Sequence, residues 1–170
     1  MNALEAAYGR VLAACGAIAA ALVLALTAMF VLTVVLRAAM GSRVTGDFEL
    51  SEYAMLFITA FSVPWLLRTG RHVRLDVLLV NLPPRLAWCL ELVNDALGFV
   101  VSLLMLWYGT SVLMRSWTGG TLIVKEYTIP EWSILWPLPL MFLLTAVEFA
   151  FRFRRVLGGP RAARIEGGEL

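Results

Sequence analysis

The sequence predicts an all-α integral membrane protein with four transmembrane helices and an interfacial amphipathic connector between the second and third. Three observations carry this. Apolar residues make up 61% of the 170 positions and charged residues only 15%, against about 45–50% and about 25% in soluble domains. The apolar residues fall into four runs, at about 11–36, 48–67, 86–115 and 132–151, each at least the roughly 20 residues that cross a ~30 Å hydrocarbon core. The 14 basic residues gather at the ends of these runs, as membrane topology requires. The chain therefore reads as a single membrane domain over 1–170, with a connector at 68–85 and a basic tail at 152–170.

The first run follows Arg10 and is charge-free to Leu36. It is too long for a signal-peptide core and is expected to be a retained helix. Gly9, Ala13, Ala17, Ala21 and Ala25 recur every fourth residue, and such a small-residue stripe predicts the face on which another helix approaches closely in lipid.

The polar connector RAAMGSRVTGD ends at Asp47, placed to cap the second helix. Glu49 and Glu52 then fall in its first turns, where the helix dipole favours acids. Glu49 is expected to be solvated. Glu52, closer to hydrocarbon depth, is expected to find a basic or hydroxyl partner. Pro64 can kink the last turns of this helix.

The stretch RTGRHVRLDVLLVNLPPR at 68–85 carries four arginines and the one histidine of the chain. At 100° per residue Arg71, Arg74, Asn81 and Arg85 share a side, with Val73, Leu75, Leu79 and Val80 broadly opposite. This is the pattern of a segment lying in the headgroup plane, ended by Pro83-Pro84. Asp76 falls on the apolar side, which reads most simply as the cap of a short helix starting at Val77.

On the third span Glu91, Asp95, Gly98, Ser102 and Gly109 project onto one narrow stripe. A lipid-facing acid near the bilayer centre costs about 2.5–3.5 kcal/mol, so the stripe is expected to face protein, with its acids paired to Arg68, Arg71 or Arg74. The loop TGGTLIVKEYTIPE contains a β-prone TLIV run and ends with Pro130 at a first-turn position of the last span. Pro137 and Pro139 predict an irregular first half for that span. Trp132 and Trp136 suit the interfacial belt. Glu148 and Arg152 have the favourable i, i+4 order.

Orientation follows from charge. With four spans, both termini and the 68–85 connector share a side, and that side holds Arg10, Arg68, Arg71, Arg74, Arg85, Arg152, Arg154, Arg155, Arg161 and Arg164. The other side holds Arg37, Arg43, Arg115 and Lys125 out of the 14 basic residues. The positive-inside rule puts the richer side in the cytoplasm.

The chemistry of most enzymes is missing. One histidine cannot supply a bis-His haem, and no metal-ligand spacing or phosphate-binding glycine motif is present. Cys15 and Cys89 lie in apolar runs without redox spacing. A net charge of +2 gives no reason to invoke nucleic acid. The reading is of a non-enzymatic accessory subunit without cofactors. The alternatives are an autonomous small carrier or channel using Glu91 and Asp95, and a membrane assembly factor.

Over nearly its whole length the chain resembles the small membrane subunit, DctQ-type, of tripartite ATP-independent periplasmic (TRAP) transporters. The residues that carry the resemblance are Glu49-Leu50-Ser51-Glu52-Tyr53, the connector Arg68-Thr69-Gly70-Arg71-His72-Val73-Arg74-Leu75-Asp76-Val77-Leu78, the Leu82-Pro83 stop, and Ile129-Pro130-Glu131-Trp132. The chain departs from the family pattern at Trp136-Pro137-Leu138-Pro139, where a glycine is expected nearby. The resemblance implies two protein partners in the bacterial inner membrane system: a large permease subunit (DctM-type) and a periplasmic binding protein (DctP-type). It implies uptake of an organic acid by sodium symport, with the transport residues on the large subunit. The residues expected to make structural or partner contacts are then Glu49, Glu52, Arg71, His72, Arg74, Asp76, Glu91 and Asp95, with Arg74 also meeting membrane lipid. Candidates for docking the binding protein are Asp47, Arg115, Lys125 and Glu126.

Overall fold

A computed structural model describes residues 3–40, 47–69, 84–125 and 127–158. It contains α1 (Ala3–Met40), α2 (Asp47–Arg68), α3 (Pro84–Gly119), β1 (Leu122–Val124), β2 (Thr128–Pro130), a single turn α4 (Trp132–Leu135) and α5 (Pro137–Gly158). Among the described residues four stretches are long and apolar enough to cross a membrane: Glu5–Ala39, Phe48–Arg68, Trp88–Gly119 and Trp132–Arg155. The second, 21 residues long, covers about 31 Å at ~1.5 Å per residue, close to one hydrocarbon thickness. The first and third, with 35 and 32 residues, exceed that thickness and need tilt or overhang. The predicted connector helix after α2 lies outside the described residues.

Packing follows the order α1, α2, α5, α3. The first two are antiparallel, α2 and α5 run parallel, and α5 and α3 are antiparallel again. On α1 the covered positions include a regular series, Tyr8, Leu12, Cys15, Ala19, Leu22, Leu26, Met29, Thr33 and Leu36, flanked by Gly9 and Gly16. The series alternates steps of four and three, the spacing of a coiled-coil seam. A second such seam runs along α3 through Trp88, Leu92, Asp95, Phe99, Ser102, Leu106, Gly109, Leu113 and Ser116. Each outer helix thus buries one stripe and leaves the rest of its apolar surface to the bilayer. The inner pair, α2 and α5, is covered on more sides.

The α1 seam differs from the alanine stripe expected from sequence. Ala13, Ala17, Ala21 and Ala25 are exposed, and of that stripe only Gly9 meets α2. A Cβ on Gly9 would lie 2.8 Å from Arg68 Nη2, and one on Gly16 would lie 2.8 Å from the Trp65 ring. Small size matters where a bulky partner side chain lies across the helix, and α2 places Trp65 and Arg68 over Gly16 and Gly9. The polar stripe on α3 does face protein. Asp95 and Ser102 are buried, Gly98 lies under the Phe149 ring, and Gly109 packs against the Pro139 backbone.

Between α3 and α4 the TLIV run forms β1, which pairs antiparallel with β2 in the register Leu122↔Pro130, Ile123↔Ile129 and Val124↔Thr128. Pro130 therefore ends a strand and does not open the helix. Gly120 turns the chain out of α3 with φ +59, a conformation that costs glycine nothing. The last span is interrupted at Trp136, between α4 and α5. There Pro137 supplies no N–H and fixes its own φ, which suits the start of a new helix. Phe57 and Phe61 of α2 pack edge-on against the Trp136 ring, at 5.8 and 6.2 Å between centroids.

Candidate functional site

The charged residues collect in two layers. Along α3, Asp95 and Arg115 are about 20 residues apart, or roughly 30 Å, so the layers bracket one hydrocarbon thickness. The sequence elements that create them are the helix ends, where the apolar runs stop.

At the end carrying the hairpin, two carboxylates one turn apart on α2 hold the β1–β2 loop. Lys125 donates from Nζ to Glu52 Oε2 at 2.6 Å, and the Tyr127 N–H donates to Glu49 Oε2 at 3.3 Å. Lys125 also lies 5.8 Å from the centre of the Tyr53 ring. The hydrogen bond it donates to Glu52 stabilises the ammonium and raises the Lys125 pKa above its usual value. The Trp117 and Trp132 rings meet edge-on at 4.5 Å, joining α3 to α4 beside the hairpin.

The two glutamates have exchanged the environments expected of them. Glu49 is buried, at 8% relative exposure, whereas the Glu52 side chain is 64% exposed. Depth along α2 alone puts Glu52 further in, but the hairpin folds down over Glu49 and closes it off. The basic partner expected for Glu52 is present in Lys125.

At the opposite end the organising residue is Glu148, whose side chain is fully buried. Its Oε1 accepts from Arg155 Nη2 at 2.8 Å and its Oε2 from Arg68 Nη1 at 3.4 Å. Arg68 also donates from Nη2 to the Glu5 carbonyl at 3.1 Å, and its guanidinium lies 5.5 Å from the Tyr8 ring centre. The Tyr8 hydroxyl donates to the Leu144 carbonyl at 2.6 Å. One carboxylate on α5 therefore ties together the last residue of α2 and, through Arg68, the first turn of α1.

A second pair joins α3 to the same layer. Arg152 Nε lies 3.4 Å from Asp95 Oδ1, with the Asp95 side chain fully buried, and Arg152 Nη1 donates to the Leu67 carbonyl of α2 at 3.3 Å. Asp95 takes an arginine from α5, because α3 packs against α5; Arg68 goes to Glu148, and Arg71 and Arg74 lie outside the described residues. One sequence expectation is corrected here. Glu148 pairs with Arg155 two turns on and with Arg68, while Arg152, four residues on, turns away to Asp95.

Of the other residues singled out from sequence, Glu91 is half-buried on the protein-facing stripe of α3 and Arg115 is exposed near its far end. Asp47 begins α2. Arg71, His72, Arg74, Asp76 and Glu126 lie outside the described residues. Sequence reasoning missed Glu148 as a hub and missed the roles of Arg152 and Arg155. The available signal was an acid inside an otherwise apolar run, followed by three arginines on the next two turns.

The two charge layers around an apolar middle, with a hairpin strapped over one end, define a multi-pass membrane protein. Its described ion pairs join one helix to another or to the hairpin, or lie within α5. The chain belongs to the DctQ component family of tripartite ATP-independent periplasmic transporters, whose family model matches residues 26–159. It is therefore the small membrane component of such a transporter. No curated protein matches the chain.

Proposed function

We propose that this chain is a structural partner of a large DctM-type permease in the bacterial inner membrane. In this reading a DctP-type periplasmic binding protein delivers an organic acid to the pair, and a sodium gradient drives uptake. The observation that carries the reading is the disposition of charge. Glu52, Glu148 and Asp95 each have a basic partner at an end of the helices, leaving apolar helix faces as what the chain offers to others. Buried acids that are already neutralised are suited to holding helices together. The small-residue face of α1, Ala13, Ala17, Ala21 and Ala25, is exposed and fits close approach by another helix.

The hairpin end, with Asp47, Arg115, Lys125 and Glu126, is the surface assigned to the binding protein. Both termini are assigned to the cytoplasm from the excess of arginine on their side. Glu49, Glu52, Glu91 and Asp95 act in this scheme as structural contacts, and Arg71, His72, Arg74 and Asp76 fix the inner connector. Purification from mild detergent tests it. The expected result is co-elution with a much larger multi-span protein and no solute flux from this chain alone in liposomes. Flux from the isolated chain, lost on neutralising Glu91 and Asp95, would establish the autonomous carrier instead.

A further inference from the structure

We propose that the Arg68–Glu148–Arg155 cluster is a binding site for the phosphate of an anionic phospholipid headgroup. Two guanidinium groups share one carboxylate, so the triad carries an excess positive charge. That carboxylate is fully buried, while the Arg68 and Arg155 side chains are 26% and 40% exposed. The negative member is inside and the positive members open outward.

Both guanidiniums are held in place before any ligand arrives. Arg68 is fixed by Glu148, by the Glu5 carbonyl and by the Tyr8 ring. Arg155 is fixed by Glu148 and by its Nε donating to the Phe151 carbonyl at 3.4 Å. Each of these side chains spends two of about five N–H donors in those bonds and retains the others for an oxyanion. Guanidinium forks match phosphate geometry, and a fork held by its own carboxylate has little conformational freedom left to lose on binding.

The position fits the ligand. Arg68 is the last residue of α2 and Arg155 lies in the last turns of α5, where spans meet the headgroup layer. Tyr8 and Phe151, with ring centres 5.4 Å apart, provide an apolar wall beside the cluster for the lipid's glycerol and upper acyl carbons. Exposed Arg10 and Arg154 at the same helix ends add an attractive field for a net anion over a zwitterion. The inference is independent of which leaflet this end occupies and of the permease partnership.

The test uses purified full-length protein, titrated in detergent with phosphatidylglycerol or phosphatidylcholine and read by native mass spectrometry and thermal midpoint. Arg155→Gln is compared with Arg154→Gln, which removes the same charge from an exposed neighbour. An arginine near the headgroup layer is worth about fivefold in preference for anionic lipid. Wild type should therefore favour phosphatidylglycerol by about tenfold or more; Arg154→Gln should lose the smaller part of that preference, carried by its long-range field, and Arg155→Gln should lose most of it. Equal loss in the two variants, or loss in neither, overturns the site. Glycerol phosphate, free of acyl chains, should not raise the midpoint; if it does, the lipid assignment falls. Should Arg155→Gln not fold, Arg155→Lys replaces it, keeping the charge and losing the planar fork. Full wild-type preference in that variant sinks the two-guanidinium clamp.

Discussion

Arg152 of α5 reaches across to Asp95 of α3, placing its Nε 3.4 Å from a carboxylate that has no exposed surface. The contact joins helices whose charged residues lie far apart in the chain, at the level where the apolar seam between them ends. Breaking one side of a fully buried pair costs about 3–5 kcal/mol. Arg152 is itself a quarter exposed and can partly rehydrate, whereas the fully buried Asp95 carboxylate cannot replace a lost countercharge with water. Arg152→Leu should then lower stability by about 3 kcal/mol, at the low end of that range. The double variant Asp95→Leu/Arg152→Leu should recover most of the loss, because both members of the pair are removed together. Thermal midpoints of the two singles and the double, read as a cycle, check this. A double variant as unstable as the sum of the singles would show that the pair makes no coupled contribution.

Glycines at helix crossings make the next prediction. A Cβ at Gly16 would lie 2.8 Å from the Trp65 ring, and overfilling a packed contact costs about 1–3 kcal/mol. Gly16→Val should lower the midpoint accordingly. Its neighbour Ala17 is exposed, so Ala17→Val should leave the midpoint of the isolated chain unchanged. Equal destabilisation by the two would mean that α1 packs on the alanine stripe after all.

That pair of substitutions also marks how much could be read beforehand. The four spans were legible because a charge-free run of 20 or more residues has few other homes. The protein-facing stripe of α3 was legible because Asp95 and Ser102 are poorly suited to lipid. The seam of α1 was not, since alanines and glycines occupy several of its faces, and what selects one is Trp65 on another helix. Glu49 was misjudged for a related reason. The group that buries it, the Tyr127 N–H, comes from 78 residues away, beyond the reach of any helical wheel. The Arg152 partner of Asp95 was not legible, because packing supplies it from the last helix.

The Lys125–Glu52 contact predicts a pH dependence of the hairpin. Glu52 holds the ammonium in its charged form, so the folded pKa of Lys125 is above its ordinary value of 10.5. A raised pKa means that the contact's contribution is fully present below the ordinary value. It is lost as pH rises through the higher, folded value. Fluorescence of Trp117, whose ring packs on Trp132 beside the hairpin, should stay constant to about pH 10 and change above it. Lys125→Met should show the high-pH signal throughout. Because the pair is exposed, high salt should weaken it as well. A transition equally present in Lys125→Met would assign the change to another group.

Orientation gives the last prediction. The hairpin and the two termini lie at opposite ends of the spans, so one reagent applied from one side separates them. Cys89 is exposed on α3 and Cys15 is buried against α2, which makes Cys89→Ser the background of choice. In that background Thr121→Cys, exposed beside Gly120, should react with a membrane-impermeant maleimide in spheroplasts. Arg154→Cys, exposed on α5, should react only after lysis. The reasoning is energetic: translocating the arginine-rich end would carry Arg10, Arg68, Arg152, Arg154 and Arg155 across, against the bias that retains basic residues in the cytoplasm. The hairpin end brings only Arg37, Arg115 and Lys125 among the described basic residues. Labelling of Arg154→Cys in intact spheroplasts, with Thr121→Cys protected, would reverse the assignment and move the binding-protein surface to the other end of the molecule.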